Sequence, residues 1–434
     1  MGATIQPRVL KGFRDFLPEA EMARGALVDS LSAVFRSYGY VPIDTPVLEY
    51  ADILLGKSGG DTEKQIYRFQ DAGGRDVAMR FDLTVPFARF LAEHLGELYL
   101  PFKRYHIAKA WRGENTQRGR YREFMQCDFD IVGVDTAAAD FEIVSVIVSS
   151  MDAVGATDAL VHVNHRETFN RFLSRAGVRE RSTDVLRIVD KLDKIGRDAT
   201  LGLLSEATSP AVAADVLAYI EPGSGFDATL DRMLRLAGGP AEDTDRILAI
   251  RDMAAACGIG DRMLLAPGIM RGHDYYTGIV FETYLSSQPG FPQVCGGGRY
   301  NDLASLYTNK SLPGVGASVG LDRLMAAFEE SARGVKSPAG LDVLVALADP
   351  AMLPEYQAAA TRIRAAGRSC EVYPEPRKLG QQFAYAERKG ARYAVVRGPA
   401  ERERGVWTLR DLTTRSDFDY PSVDAVVATL GTRR

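Results

Sequence analysis

The densest chemistry in the chain lies in FKRYHIAKAWRGENTQRGRYREFMQCDFDIVG, residues 102–133. Arg112, Arg118, Arg120 and Arg122 crowd into this stretch. A guanidinium stays charged at neutral pH and meets phosphate or carboxylate with a rigid fork of N–H groups. Just downstream, the alternation of a strand puts Phe124, Gln126, Asp128 and Asp130 on one face. Glu123, Met125, Cys127 and Phe129 fall on the other. An aromatic, an amide and carboxylates beside arginines can hold a nucleotide and a small polar molecule side by side. A surface hairpin laced with ion pairs fits the same residue types, so this segment alone leaves both readings open.

The elements that must position these groups follow from pattern. RYHIAKAWR and EFMQCDFDIVG read as two antiparallel strands joined by the polar loop GENTQRG. Residues 1–165 mix helical and strand patterns. Residues 166–260 read mostly as helices. In TDVLRIVDKLDKI, Val185, Ile188, Val189, Leu192 and Ile195 recur at helical spacing behind a capping Thr183 or Asp184. Residues 261–332 return to strands and Gly-rich turns, GIVFETYL reading as the former and VCGGGRY as the latter. Gly, Pro and Ser between Gly334 and Gly340 mark a linker. Beyond it, DVLVAL, SCEVY, ARYAVVRG and GVWTLRDL are strands, and LPEYQAAATRIRAAG and LGQQFAYAERKG are helices. Such alternation over 338–434 indicates a small α/β domain.

Composition sets the bounds. A chain of 434 residues exceeds one ordinary core, at roughly 100–200 residues per domain. Apolar residues at 46% and charged residues at 25% fit a soluble globular protein. The N-terminus lacks an apolar core of signal-peptide length, and no run of about 18 apolar residues exists to span a membrane. Cys127, Cys257, Cys295 and Cys370 form no CxxC pair, so neither a disulfide framework nor a zinc site is expected. A cytoplasmic protein with reduced thiols is the expectation. The net charge of −4 excludes nucleic-acid binding by bulk positive charge but leaves room for a local basic groove.

Several segments in order resemble the class II aminoacyl-tRNA synthetases. The arginine hairpin resembles their motif 2. YGYVPIDTPVLEY (38–50) resembles motif 1, and GVGASVGLDRL (314–324) resembles motif 3, with Arg323 on its helix. RGHDYYTGIVFE (271–282) and VCGGGRYNDL (294–303) resemble segments of the histidyl branch, as do KGFRDFLP (11–18) and MRFDLTVPFARF (79–90). KLGQQFAYAERKGARYAVVRG resembles a synthetase anticodon-binding domain. One departure is His273, where the family pattern has Leu.

The resemblance implies an α+β fold. Its catalytic domain, 1–165 with 261–332, would be an antiparallel sheet flanked by helices. A helical insertion would fill 166–260, and an anticodon-binding α/β domain 338–434. It implies activation of L-histidine with ATP and Mg²⁺, transfer to tRNA(His), and a homodimer built through motif 1. By the same resemblance Arg112 bridges the α-phosphate and the histidine carboxylate, and Arg271 stabilises the transition state there. Arg323 holds the γ-phosphate along the adenine, Phe124 stacks on the base, and Glu114 meets its edge. Asp82, Leu83, Thr84 and Gln126 take the ammonium end of histidine. Asp130 and Tyr276 grip the ring nitrogens, with Tyr275 lining the pocket. Asp82 also suits a helix N-cap before LTVPFARF, and both roles are compatible. Gln117 and Arg118 face the acceptor end of the tRNA, and Lys378, Gln381 and Gln382 its anticodon. The competing implication is a histidine-sensing regulatory paralogue of ATP phosphoribosyltransferase. Such paralogues commonly lack the last domain and lose catalytic residues.

Overall fold

The computed structural model describes residues 5–56, 64–189, 191–269, 276–301, 303–331 and 340–432. The chain forms two compact units, Met1–Asp15 with Arg24–Val335, and Phe16–Ala23 with Lys336–Arg434. Eleven strands lie in the larger unit among the described residues: β1 (Val41–Pro42), β2 (Leu48–Tyr50), β3 (Arg68–Gln70), β4 (Asp76–Met79), β5 (Phe102–Trp111), β6 (Glu123–Val132), β7 (Ala159–His165), β8 (Met263–Leu265), β9 (Ile279–Leu285), β10 (Cys295–Tyr300) and β11 (Gly314–Gly320). Eight of them make one sheet in the order β1-β5-β6-β11-β10-β9-β7-β8. Its centre is antiparallel, and only the outer pairs β1/β5 and β7/β8 are parallel. A small sheet, β2-β4-β3, lies apart from it.

The arginine segment folds as its alternation requires. β5 and β6 pair in register from Phe102↔Val132 to Trp111↔Glu123. Glu123 reaches Lys109 at 2.8 Å and the Trp111 indole N–H at 3.0 Å on one face. Phe124, Gln126, Asp128 and Asp130 point to the other and line a common cavity. The core beneath is apolar. Phe35 lies 5.0 Å from Phe129, and the helix Ala137–Ala153 packs against β6, β7 and β11 through buried Ile143, Val144 and Ile147.

VCGGGRY is a strand, not the turn its glycines suggested. Cys295–Tyr300 pairs with β9 on one side and β11 on the other. Close approach explains the composition. A Cβ on Gly297 would sit 2.2 Å from the Gly316 carbonyl oxygen, and one on Gly316 would sit 2.0 Å from Asp130 Oδ1. Antiparallel partners share a face, so the neighbours of Asp130, Asp128 and Gln126 on β11 are Gly316, Ser318 and Gly320. The next row, on β10, places Gly298 and Gly296 beside Gly316 and Ser318. Glycine and serine thus leave a bare floor about two strands, or ~10 Å, wide.

Helices fill most of 166–256, from Arg166–Arg175 to Glu242–Ala256. The helical pattern of 183–195 appears as two helices, Ser182–Val189 and Leu192–Ile195. In the smaller unit β12 (Val343–Val345), β13 (Cys370–Val372), β14 (Tyr393–Val396), β15 (Trp407–Asp411) and β16 (Ser416–Tyr420) form a sheet ordered β13-β12-β14-β15-β16. The strands and helices read from 342–411 are present, and β16 and the helix Val423–Thr432 extend the pattern. The Gly334–Gly340 linker, except Gly340, lies outside the described residues.

Gly316→Ala tests the carved floor. The added methyl has no space to enter beside Asp130, and such overpacking costs about 1–3 kcal/mol. A lower melting temperature in differential scanning calorimetry is expected, and an unchanged one would show that the floor can yield.

Candidate active site

A cavity of about 320 Å³ lies on this floor. Asp82, Thr84, Gln126, Asp128, Asp130, Tyr276 and Tyr300 line it together with Arg112, Glu114, Phe124 and Arg323. The order along β6 sets the layout. Side chains on one face of a strand recur about every 7 Å. Phe124 therefore marks one end, Gln126 and Asp128 the middle, and Asp130 the far end.

The far end is acidic and buried. Asp130 is 3% exposed, and its carboxylate lies 2.7 Å from the guanidinium of Arg104, itself fully buried. The Tyr300 hydroxyl donates to the other Asp130 oxygen. Arg104 also lies 3.9 Å from Asp128 and 4.1 Å above the Phe87 ring. One guanidinium thus serves two carboxylates. Burial pushes the Asp128 carboxyl up to about 7, with Arg104 opposing and Asp130 and Asp82 adding to the rise.

The two oxygens of Asp82 have different surroundings. Oδ1 accepts the Val85 N–H at 3.0 Å and so satisfies one of the free donors in the first turn of the helix Thr84–His94, whose N-cap position is Leu83. Oδ2 is buried with no hydrogen-bond partner. Burial raises this carboxyl to about 6, against the opposing pull of the Val85 N–H and Arg112. Leu83 is fully buried and absent from the cavity wall. Gln126 donates to Ser318 Oγ at 3.2 Å, and its Oε1 has no partner.

The other end is basic. Arg112 donates from Nε to the Phe81 carbonyl at 2.9 Å and lies 5.1 Å over the Phe124 ring. Arg323 donates to the Gln293 carbonyl at 3.0 Å. Burial lowers its pKa, and repulsion from Arg120 and Arg112 lowers it further. Three guanidiniums that repel one another across shared space favour a polyanion between them. Glu114 is paired with Arg120.

Sequence reasoning missed the groups that hold this end in place. Asp322 accepts the Met125 N–H at 2.6 Å and pairs with Arg14. Arg14 lies 3.7 Å over the Tyr121 ring. This ties the helix of Arg323 to the start of β6. The signals were present, since Asp322 precedes Arg323 and Arg14 lies in KGFRDFLP. Pairing at such sequence distance is not readable from spacing.

A larger cleft of about 3010 Å³ opens beside the cavity. Gln117, Arg118, Arg166, Arg179, Arg187 and Lys191 are on its walls. Arg118 also pairs with Glu330. In the smaller unit Lys378 and Gln381 are exposed at the start of the helix Leu379–Arg388. Gln382 corrects the expectation of an RNA contact. It is fully buried, and its amide bonds the Leu347 N–H, the Leu347 carbonyl and the Arg377 carbonyl at 2.8–3.0 Å. Arg271 and Tyr275 lie outside the described residues.

Comparison with known proteins places this architecture. Residues 342–431 match the family described as "Anticodon binding domain", which sets the chain among proteins that carry such a unit. Residues 12–324 match "Histidyl-tRNA synthetase". A histidine–tRNA ligase of Treponema denticola is 49% identical, with 98% of each chain covered. One from Rhodopirellula baltica is 46% identical, again over 98% of each. The crystal structure of histidyl-tRNA synthetase from Nostoc sp. PCC 7120 superposes with a TM-score of 0.89 at 27% identity, covering 99% of this chain and all of that one. The chain belongs to the histidyl-tRNA synthetase family.

The acidic end generates a pH prediction. A carboxyl whose folded pKa lies above its ordinary value binds its proton more tightly in the folded state. That stabilisation is complete below about pH 4 and is lost as pH rises towards about 7 for Asp128. Asp128→Asn removes this term. Without ligand, the variant is expected to lose less stability between pH 5 and 7 than the parent and to melt a few degrees higher at pH 8. Parallel melting curves would contradict it.

Proposed function

We propose that this chain activates L-histidine with ATP to histidyl-adenylate and transfers the histidine to the 3′ end of tRNA(His), releasing diphosphate and AMP. The observation that carries the reading is one continuous cavity, acidic and phenolic at one end and flanked by arginines at the other. Full-length similarity to histidine–tRNA ligases, anticodon-binding unit included, sets aside the regulatory alternative.

In the first step the histidine carboxylate attacks the α-phosphorus of ATP and diphosphate leaves. No protein nucleophile is needed. The protein must bring two anions together and neutralise charge growing on the phosphate oxygens. Arg112 does this where it can reach both the α-phosphate and the carboxylate, and the family resemblance adds Arg271. Arg323 takes the γ-phosphate, Phe124 and Glu114 the adenine. At the far end Asp130, held by Arg104 and Tyr300, and Tyr276 grip the imidazole ring. Such buried partners reject analogues that leave them unpaired by factors on the order of 10⁴. Asp82, Thr84 and Gln126 take the ammonium. In the second step a hydroxyl of the terminal ribose attacks the adenylate carbonyl and AMP leaves. The basic cleft with Gln117 and Arg118 suits the acceptor end, and Lys378 and Gln381 suit the anticodon.

Among the described residues no group of three or more His, Cys, Asp or Glu side chains could hold a metal ion. Mg²⁺ enters this reading with the nucleotide, as part of the MgATP substrate, because its hard charge prefers phosphate oxygens. Val47, Leu48, Tyr50 and Phe69, each at least 40% exposed on or beside the small sheet, support a homodimer through the 38–50 segment. Among the described residues no helix is long and apolar enough to cross a membrane. The proposed location is the cytoplasm.

ATP–diphosphate exchange tests the reading. Exchange should depend on L-histidine and on none of the other amino acids. A protein that binds histidine without exchanging label would be a sensor. Arg112→Ala should lower exchange at saturating histidine and ATP by roughly 10² or more. Tyr276→Phe should raise the histidine KM, and an unchanged value would remove that hydroxyl from ring recognition.

A further inference from the structure

The residues assigned above to the ammonium do not exhaust the acceptors that surround its position. Asp82 Oδ2, Gln126 Oε1 and Asp128 Oδ1 are all buried, and all lack a hydrogen-bond partner. All three residues line the same cavity. Asp82 and Asp128 are 1% and 2% exposed. A buried acceptor without a donor costs free energy, so three together call for a ligand with donors. An ammonium group has three N–H donors and no acceptor.

Position along β6 sharpens the point. Asp128 lies between Gln126 and Asp130, on the same face. In the proposed pose the ring lies at Asp130 and the carboxylate is directed towards Arg112. The amino-bearing carbon of histidine lies between its ring and its carboxylate, which is the level of Asp128. Its neighbours there are Ser318 and Gly296, too small to fill the space. Arg104, which neutralises Asp130 at 2.7 Å, is 3.9 Å from Asp128; the Ser318 hydroxyl also bonds the Asp128 carboxylate, and Oδ1 is the oxygen left without a partner.

We propose that Asp128 is a specificity residue of this site and accepts one N–H of the substrate's ammonium group, completing a set of three acceptors with Asp82 and Gln126. The inference rests on the histidine-binding reading above and adds a contact to it. The pocket then selects an α-amino group by charge as well as by hydrogen bonds. An acid bearing the same ring without the amine would leave two buried carboxylates uncompensated.

Isothermal titration of the full-length parent and of Asp128→Asn tests this with three probes at pH 8. L-Histidine carries ring, ammonium and carboxylate. L-Histidinol lacks the carboxylate, and 3-(imidazol-4-yl)propanoate lacks the ammonium. Asp128→Asn should weaken histidine and histidinol roughly ten- to a hundredfold, the range for a hydrogen bond to a charged group. The propanoate should bind within about twofold of the parent. In exchange assays the histidine KM should rise while the ATP KM holds. Equal weakening of all three probes would overturn the assignment and place Asp128 at the ring. Unchanged binding of all three would overturn it too. So would an Asn variant that fails to fold, because an excess of buried acid predicts that the neutral side chain is tolerated. Asp128→Ser provides the second test and should give the same pattern across the probes. A parent that binds no histidine would instead overturn the functional reading itself.

Discussion

Three carboxylates, Asp82, Asp128 and Asp130, are buried on one cavity wall with a single fully buried guanidinium, Arg104, in reach of two of them. That imbalance is the constraint on which the site depends. Burying an unpaired charge is expensive, and a protein usually neutralises the group or pairs it. Here the raised pKa values of Asp82 and Asp128 show the first response. In the proposed reading a cationic substrate supplies the second. Without a cation on this wall the fold would be less stable than it could be, and in this reading binding relieves the deficit. Stability given up at a site in this way is a common cost of function.

The sheet makes the imbalance possible. Strands β10 and β11 contribute glycine and serine where bulkier side chains would close the cavity. The same strands carry a tightly packed underside with Val315, Val319 and Cys295 buried. One element therefore supplies both a rigid core and an open floor. Period-two alternation then spaces Phe124, Gln126, Asp128 and Asp130 along one line, so that a nucleotide and an amino acid can lie end to end. Arg14, Asp322 and Met125 lock the basic end of that line, as Arg104 and Tyr300 lock the acidic end.

Much of this was legible in the residues. The hairpin, its loop and the face carrying Phe124 to Asp130 follow from alternation alone, because a half-buried strand imposes it. The contact of Asp82 with the start of the next helix was readable as well, since a carboxylate just before an apolar-periodic run suits the free N–H groups there. Strand β10 was not legible. Three consecutive glycines read as a turn, and only the close approach of the Gly316 carbonyl to Gly297 and of the Ile279 carbonyl to Gly298 shows why a packed strand carries them. Arg104 and Asp322 were passed over for a related reason. Their partners lie on other strands or nearly two hundred residues away, and local pattern carries no record of them. Gln382 shows the reverse error. The resemblance placed it at the anticodon, yet the Leu347 main chain claims both ends of its amide.

The most direct test of the account is a crystal structure of the protein with L-histidine and a non-hydrolysable ATP analogue. The account predicts an imidazole between Asp130 and Tyr276, an ammonium facing Asp82, Gln126 and Asp128, and phosphates between Arg112 and Arg323. An amino acid lying with its ammonium turned away from that wall, or a triphosphate outside the reach of both arginines, would contradict it.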